Sequence, residues 1–115
     1  MNTARTWILA VVLSLAPAFG FTSVAAAPPP KVVQVVIDKA TFGDTPPGVL
    51  VGDTIEWINK DIVDHTATSK VGGWDVVVPA GKKARLVMKT AGTFEYFCRY
   101  HPNMVGRVVV AKRPK

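Results

Sequence analysis

Between residues 31 and 111 the sequence consists of short β-branched or alternating runs, cut at close intervals by glycine and proline. No window sustains a capped apolar period of 3.6 residues, so helices are not expected. Val32 to Ile37 is a β-branched run of strand length. Thr54 to Trp57 alternates, with Ile55 and Trp57 on one face. Trp74 to Val78 and Val105 to Val110 continue the pattern. Ala84, Leu86 and Met88 share one side of a further run, and Phe94, Tyr96 and Cys98 share a face of another. Thr41 to Gly48, Pro79 to Lys82 and Ala91-Gly92 read as turns or loops. Strands at this spacing predict an all-β sandwich or barrel.

The apolar residues are unevenly spread. Arg5 is the only charged residue before Lys31, the run Trp7 to Leu15 is almost wholly apolar, and small residues occupy Val24 to Ala27. A basic start, an apolar run and a small-residue tract form the pattern of a cleavable export signal. The run is too short to span a bilayer, and Pro17 and Gly20 follow it closely. The expected division is a signal peptide over residues 1–26 and a single domain over 27–115. The 89 residues after Ala26 hold 13 of the 14 basic and all 8 acidic side chains, for a net charge of +5. The basic tail Lys112-Arg113-Pro114-Lys115 is expected to fray. So small an exported domain would ordinarily be stapled by disulfides, but there is one cysteine.

That cysteine lies in Cys98-Arg99-Tyr100-His101-Pro102-Asn103-Met104, beside one of only two histidines and one of three methionines. The other histidine, His65, follows the predicted Thr54–Trp57 strand and is expected on a loop. A soft thiolate, two imidazoles and a weak thioether are the donor set of a mononuclear electron-transfer copper site, with two nitrogens and one sulfur in a plane and a long axial thioether. His65, Cys98, His101 and Met104 are therefore the candidate metal ligands. The thiolate and thioether suit Cu(I), the imidazoles keep Cu(II) bound, and little needs to move as an electron arrives. Pro102 stiffens the loop that carries His101. Asp64, adjacent to His65, is a candidate partner for its ring, with a surface position as the alternative. Arg99 reads as a solvated charge.

The terminal Gly92–Cys98 strand, the Cys-x-x-His-x-x-Met loop, the Gly106–Val110 closing strand and the Trp57-Ile58-Asn59-Lys60-Asp61…His65-Thr66 stretch resemble the cupredoxins, the type 1 blue-copper family. The short gap between His101 and Met104 resembles its amicyanin branch. The resemblance covers residues 31–111. It implies a two-sheet Greek-key β-sandwich, one copper ion cycling between Cu(I) and Cu(II), a periplasmic location and one-electron carriage between redox proteins, without enzymatic turnover. Two departures stand out. Thr66 follows His65 where many members have asparagine, and the Lys70–Asp75 segment is short.

Rival classes fail on specific features. Methionine is a poor zinc ligand. A binuclear copper domain needs two cysteines, and a multicopper enzyme needs more histidines than the two present. No aromatic-rich basic motif accompanies the positive charge, so nucleic acid is not an expected partner. A copper-storage or copper-delivery protein is the alternative; it would be favoured by a Met-rich or His-rich tract, and the chain has neither. The expected partners are redox proteins, a cytochrome or a dehydrogenase, with acidic surfaces. A monomer without stable membrane insertion is expected.

Overall fold

In the computed structural model, which describes residues 3–4, 8–21 and 27–115, nine strands form two sheets and no helix occurs among the described residues. The strands are β1 (Val32–Asp38), β2 (Thr41–Phe42), β3 (Val49–Leu50), β4 (Thr54–Asn59), β5 (His65–Ser69), β6 (Asp75–Val78), β7 (Lys83–Val87), β8 (Gly92–Phe97) and β9 (Val105–Ala111). One sheet has the order β2-β1-β4-β7 and the other β3-β9-β8-β5-β6. The chain changes sheet between β2 and β3, β3 and β4, β4 and β5, β6 and β7, and β7 and β8. Most neighbours within a sheet are therefore not consecutive in sequence, and the expected all-β sandwich is what forms. Arg5 and the expected cleavage position at Ala26 lie outside the described residues. No helix among them is long and apolar enough to cross a membrane.

Alternation decides which side chains enter the core. On β1, Val33, Val35 and Ile37 point inward; on β4, Ile55 and Trp57 do. The facing sheet contributes Ala67, Val78, Tyr96, Val108 and Val110. Trp57 is wholly buried and donates its indole N–H to the Tyr96 hydroxyl at 3.3 Å, so the largest core ring leaves no unpaired donor. Tyr96 lies over Gly106, its cross-strand partner. A Cβ at position 106 would sit 2.3 Å from that ring, which is why only glycine fits there.

Glu56 is buried, although it lies on the outer face of β4. Gln34 and Arg85 stand opposite it in register on β1 and β7. Gln34 Nε2 donates at 2.9 Å and Arg85 Nε at 2.5 Å, a polar row of cross-strand pairs across three strands. The basic tail is not frayed at Arg113. Its guanidinium reaches Asp53 at 2.5 Å and Val51 O at 2.9 Å, and also donates to Pro28 O. Asp53 is fully buried in the β3–β4 turn and offers a charged anchor that the tail's own composition does not reveal.

Two registers place the chemistry. β5 and β8 are antiparallel, with Thr68 opposite Phe97; continued outward, that register sets Thr66 against Arg99. β8 and β9 pair Phe97 with Val105, which sets Cys98 against Met104. Both ladders run out at the same end of the sandwich.

Candidate metal centre

The site is assembled by two connections at that end. Asn59, the last residue of β4, is buried, and its amide donates to Val63 O at 2.9 Å and Val78 O at 3.0 Å. Its Oδ1 accepts the Asp61 N–H at 2.9 Å. One amide side chain thus folds the 60–64 connection and delivers His65. His65 is not on a loop, as the sequence suggests, but is the first residue of β5. The run His-Thr-Ala-Thr-Ser carries no large apolar side chain. It becomes a strand because β6 and β8 satisfy its backbone from both sides.

The second connection is the β8–β9 hairpin loop. Cys98 N–H donates to Met104 O at 3.0 Å, His101 N–H to Cys98 O at 3.3 Å, and Met104 N–H to His101 O at 2.8 Å. These bonds fold the loop back so that His101 faces Cys98. Met104 is buried beside it, and His101 is exposed at the rim. A depression of about 350 Å³ lined by Ala40, His101, Pro102, Asn103 and Met104 opens there to solvent.

His65, Cys98 and His101 bring their ligand atoms within 4.8 Å of one another. Both Nδ1 atoms lie 3.7 Å from Cys98 Sγ, and the two rings are 5.0 Å apart. With metal–nitrogen bonds of about 2.0 Å and metal–sulfur bonds of about 2.3 Å, ligands in a trigonal plane stand roughly 3.7 Å apart along each N···S edge. The donor set and its spacing therefore fit a small transition-metal ion.

Burial alone would push the Cys98 thiol up. The Thr66 N–H at 3.4 Å, the His101 and His65 rings and the Tyr100 N–H outweigh it and bring the thiol down to about 6. The thiolate, which is the form that ligates, is thus favoured at neutral pH. For His65, burial opposes protonation, but the Cys98 and Asp61 contacts outweigh it and raise its pKa. Protons consequently compete with metal for this ring in acid.

The carboxylate behind His65 is Asp61, not the adjacent Asp64. Asp61 Oδ2 meets His65 Nε2 at 2.8 Å, whereas Asp64 accepts the Ala80 N–H at 2.8 Å on the exposed surface. Asp61 also accepts the Lys39 N–H at 2.8 Å and the Ala40 N–H at 2.9 Å. Those two residues form the β1–β2 turn with φ of 52° and 53°, a left-handed conformation that costs non-glycine residues energy. One carboxylate thereby holds a strained turn and fixes which nitrogen of His65 faces the sulfur. Asp61→Asn is expected to weaken metal affinity by about 10- to 100-fold, read in a competitive titration against a chelator. An unchanged affinity would show that the ring is held by packing alone.

Four further side chains complete the picture. Trp74 packs on the core, 5.9 Å from Trp57 and 5.6 Å from Tyr96. Met88 is core. Tyr100 is exposed under the Arg99 guanidinium, 5.3 Å from its ring centre. Arg99 is not simply solvated, because it also pairs with Asp75 at 3.1 Å.

Residues 9–110 match the family model of the cupredoxin-like domain. Amicyanin from Paracoccus versutus is 29% identical over 92 residues, covering 75% of this chain and 70% of that protein. Amicyanin from Paracoccus denitrificans is 36% identical over 84 residues, covering 66% of this chain and 64% of that protein. Among solved structures, the crystal structure of Paracoccus versutus amicyanin aligns with a TM-score of 0.59 at 28% identity, over 69% of this chain and 80% of that one. A Cu(I) form of an amicyanin variant gives the same TM-score at 29% identity, over 69% and 81%.

Proposed function

This chain belongs to the cupredoxin-like family and resembles its amicyanin branch, and from that premise we propose that it is a type 1 copper protein carrying single electrons between redox partners in the periplasm. His65, Cys98, His101 and Met104 would hold the copper ion. The observation that carries this reading is the convergence of both imidazole Nδ1 atoms on one buried thiolate, each at 3.7 Å. Residues 1–26 act as a cleaved export signal and 27–115 as the working domain. Cupredoxins of the amicyanin kind are electron carriers, not enzymes, and the alternative of copper storage gains no support from this site.

Bound copper supplies one reversible electron; the protein's residues do the rest. Cys98 and His65 are fully buried, so water is kept from the sulfur. Asp61, Asn59 and the hairpin-loop hydrogen bonds hold the donors in place before the metal arrives, which keeps rearrangement small on electron transfer. Met104 would tune rather than hold the ion, since a thioether is a weak ligand. His101 reaches the surface and offers the shortest way out.

Charge suggests the partner. Lys39, Lys60, Lys82 and Lys83 are exposed around this end, and none makes an ion pair among the described residues. Lys60 N–H bonds Ile37 O and Asn59 N–H bonds Lys82 O, which ties these lysines to the ends of β1 and β4. Asp61 and Asp64, the acids of the 60–64 connection, are occupied by His65 and by backbone N–H groups. A redox protein with an acidic face would be steered onto this rim, with a contact below about 1,200 Å². The test is to load one equivalent of Cu(II) and follow electron exchange with an acidic cytochrome by stopped flow at rising salt. A one-to-one complex and rates that fall with ionic strength are expected. A protein that takes only zinc would refute the copper assignment, and salt-independent rates would refute the acidic partner.

A further inference from the structure

Thr66, the residue that replaces the family's common asparagine, touches the metal loop twice. Its N–H donates to Cys98 Sγ at 3.4 Å, and its Oγ1 accepts the Arg99 N–H at 2.9 Å. The hydroxyl proton of Thr66 then needs an acceptor. Thr68, two residues along β5 on the same face, presents its Oγ1 at 3.0 Å. Thr68 Oγ1 in turn lies 2.6 Å from Asp75 Oδ1, on the residue directly opposite it on β6.

The direction of every proton in this chain is fixed by chemistry. An ionised carboxylate only accepts, so Thr68 must donate to Asp75. The Thr68 hydroxyl and then the Arg99 guanidinium hold Asp75 below the usual carboxylate range, so it is ionised at neutral pH. Having spent its only proton, Thr68 must accept from Thr66. Thr66 must therefore keep a lone pair for the Arg99 N–H. Arg99 closes the ring by donating its own Nε–H to the same Asp75 oxygen at 3.1 Å. The ring starts and ends on the residue that follows Cys98. Hydroxyls in series that end on a charge polarise one another, which makes Thr66 Oγ1 a better acceptor than an isolated hydroxyl. The Asp75–Arg99 pair alone is half exposed and counts for little by itself.

We propose that Asp75, which lies outside the ligand set on the surface of β6, is a positioning residue for the metal centre. Through Thr68 and Thr66 it sets how the Thr66 and Arg99 peptides stand against the Cys98 sulfur. The assignment rests on the copper reading, because its functional consequence is the environment of the ligating thiolate.

The test uses Asp75→Ala and Thr68→Val, each alone and combined, with Thr68→Ser as the conservative replacement. Amide hydrogen exchange is followed in the metal-free and the Cu(I)-loaded protein. The Arg99 amide is expected to exchange about tenfold faster in either single variant, as for the loss of one ordinary hydrogen bond. The double variant should show no further increase, since both changes cut the same chain. Thr68→Ser should match the wild type, and amides in the β1–β4 ladder should be unaffected. The reduction potential and the visible band of the copper form should shift in the same two variants and not in Thr68→Ser. Unchanged Arg99 exchange, or effects that add in the double variant, would overturn the proposal. A wild type that forms no coloured Cu(II) complex would overturn the copper reading instead, while the metal-free exchange would still decide whether the relay exists.

Discussion

Cys98→Ser is expected to abolish the intense red-region absorption of the Cu(II) protein completely while leaving the sandwich folded. The band requires a thiolate bound to copper, and this chain has one sulfur of that kind. The fold survives because the two hydrogen bonds that close the loop at Cys98 use its backbone N–H and C=O. Serine is close to isosteric with cysteine, and its Oγ can still accept the Thr66 N–H. Metal affinity should fall by more than the roughly 10- to 100-fold that loss of an outer partner costs, because a ligand itself is gone. Met104→Leu is the contrast: copper and colour persist and the reduction potential moves, since a thioether is weakly bonded. Visible spectra of both variants, beside unfolding curves, check this. A coloured Cys98→Ser protein would mean that the sulfur does not ligate.

How much of this was readable in the sequence depends on where the signal was local. The strands that carry large apolar residues were evident: Val33, Val35 and Ile37 on β1, Ile55 and Trp57 on β4, and Phe94 and Tyr96 on β8. On β4 and β8 the inward face announces itself by period two, whereas β1 reads only as a β-branched run of strand length. β5 was not evident, because its inward face offers only Ala67 and Ser69 beyond His65. β2 and β3 are two residues each in Gly/Pro-rich sequence and exist only through their partners β1 and β9.

The site divides in the same way. Cys98, His101 and Met104 fall within seven residues, so their grouping survives without a structure, and His65 followed because no other histidine exists. The groups that hold the ligands were invisible. Adjacency left Asp64 open as a partner or a surface group; the turn built by Asn59 brings Asp61 to the ring and leaves Asp64 on the surface. Asp75 is 23 residues from Cys98 and reaches its surroundings through two threonines, the Arg99 guanidinium and the β5–β8 register. Sequence thus displays donors that share a loop, whereas the groups that orient them are brought together by pairing between distant strands.

Asp53→Ala is expected to cost about 3 kcal/mol or more of stability at neutral pH, the usual penalty for removing one partner of a buried ion pair. Asp53 sits at the far end of β4 from the candidate metal centre, fully buried, and its two oxygens accept four hydrogen bonds. Oδ1 takes the Lys31 N–H at 3.0 Å and Arg113 Nη2 at 2.5 Å. Oδ2 takes Lys31 Nζ at 2.9 Å and the Leu50 N–H at 2.8 Å. The carboxylate therefore ties the start of β1, the β3–β4 turn and the C-terminal tail together, in a domain with no disulfide to do so. Lys31 is half exposed and its charge is screened, so Arg113 and the two backbone donors carry most of the effect. Burial alone would raise the pKa of Asp53, but the Leu50 N–H and the Lys31 contacts outweigh it and hold the carboxyl well below the usual carboxylate range. A depressed folded-state pKa contributes stability that is fully present above the unfolded value, near 4, and is lost as pH falls toward the folded one. The gap between wild type and Asp53→Asn should accordingly be widest at pH 7 and narrow below about pH 4. Urea unfolding of the metal-free proteins at pH 7 and pH 3 measures both values. A gap that stays constant with pH would mean that the buried charge contributes nothing beyond the shape of its side chain.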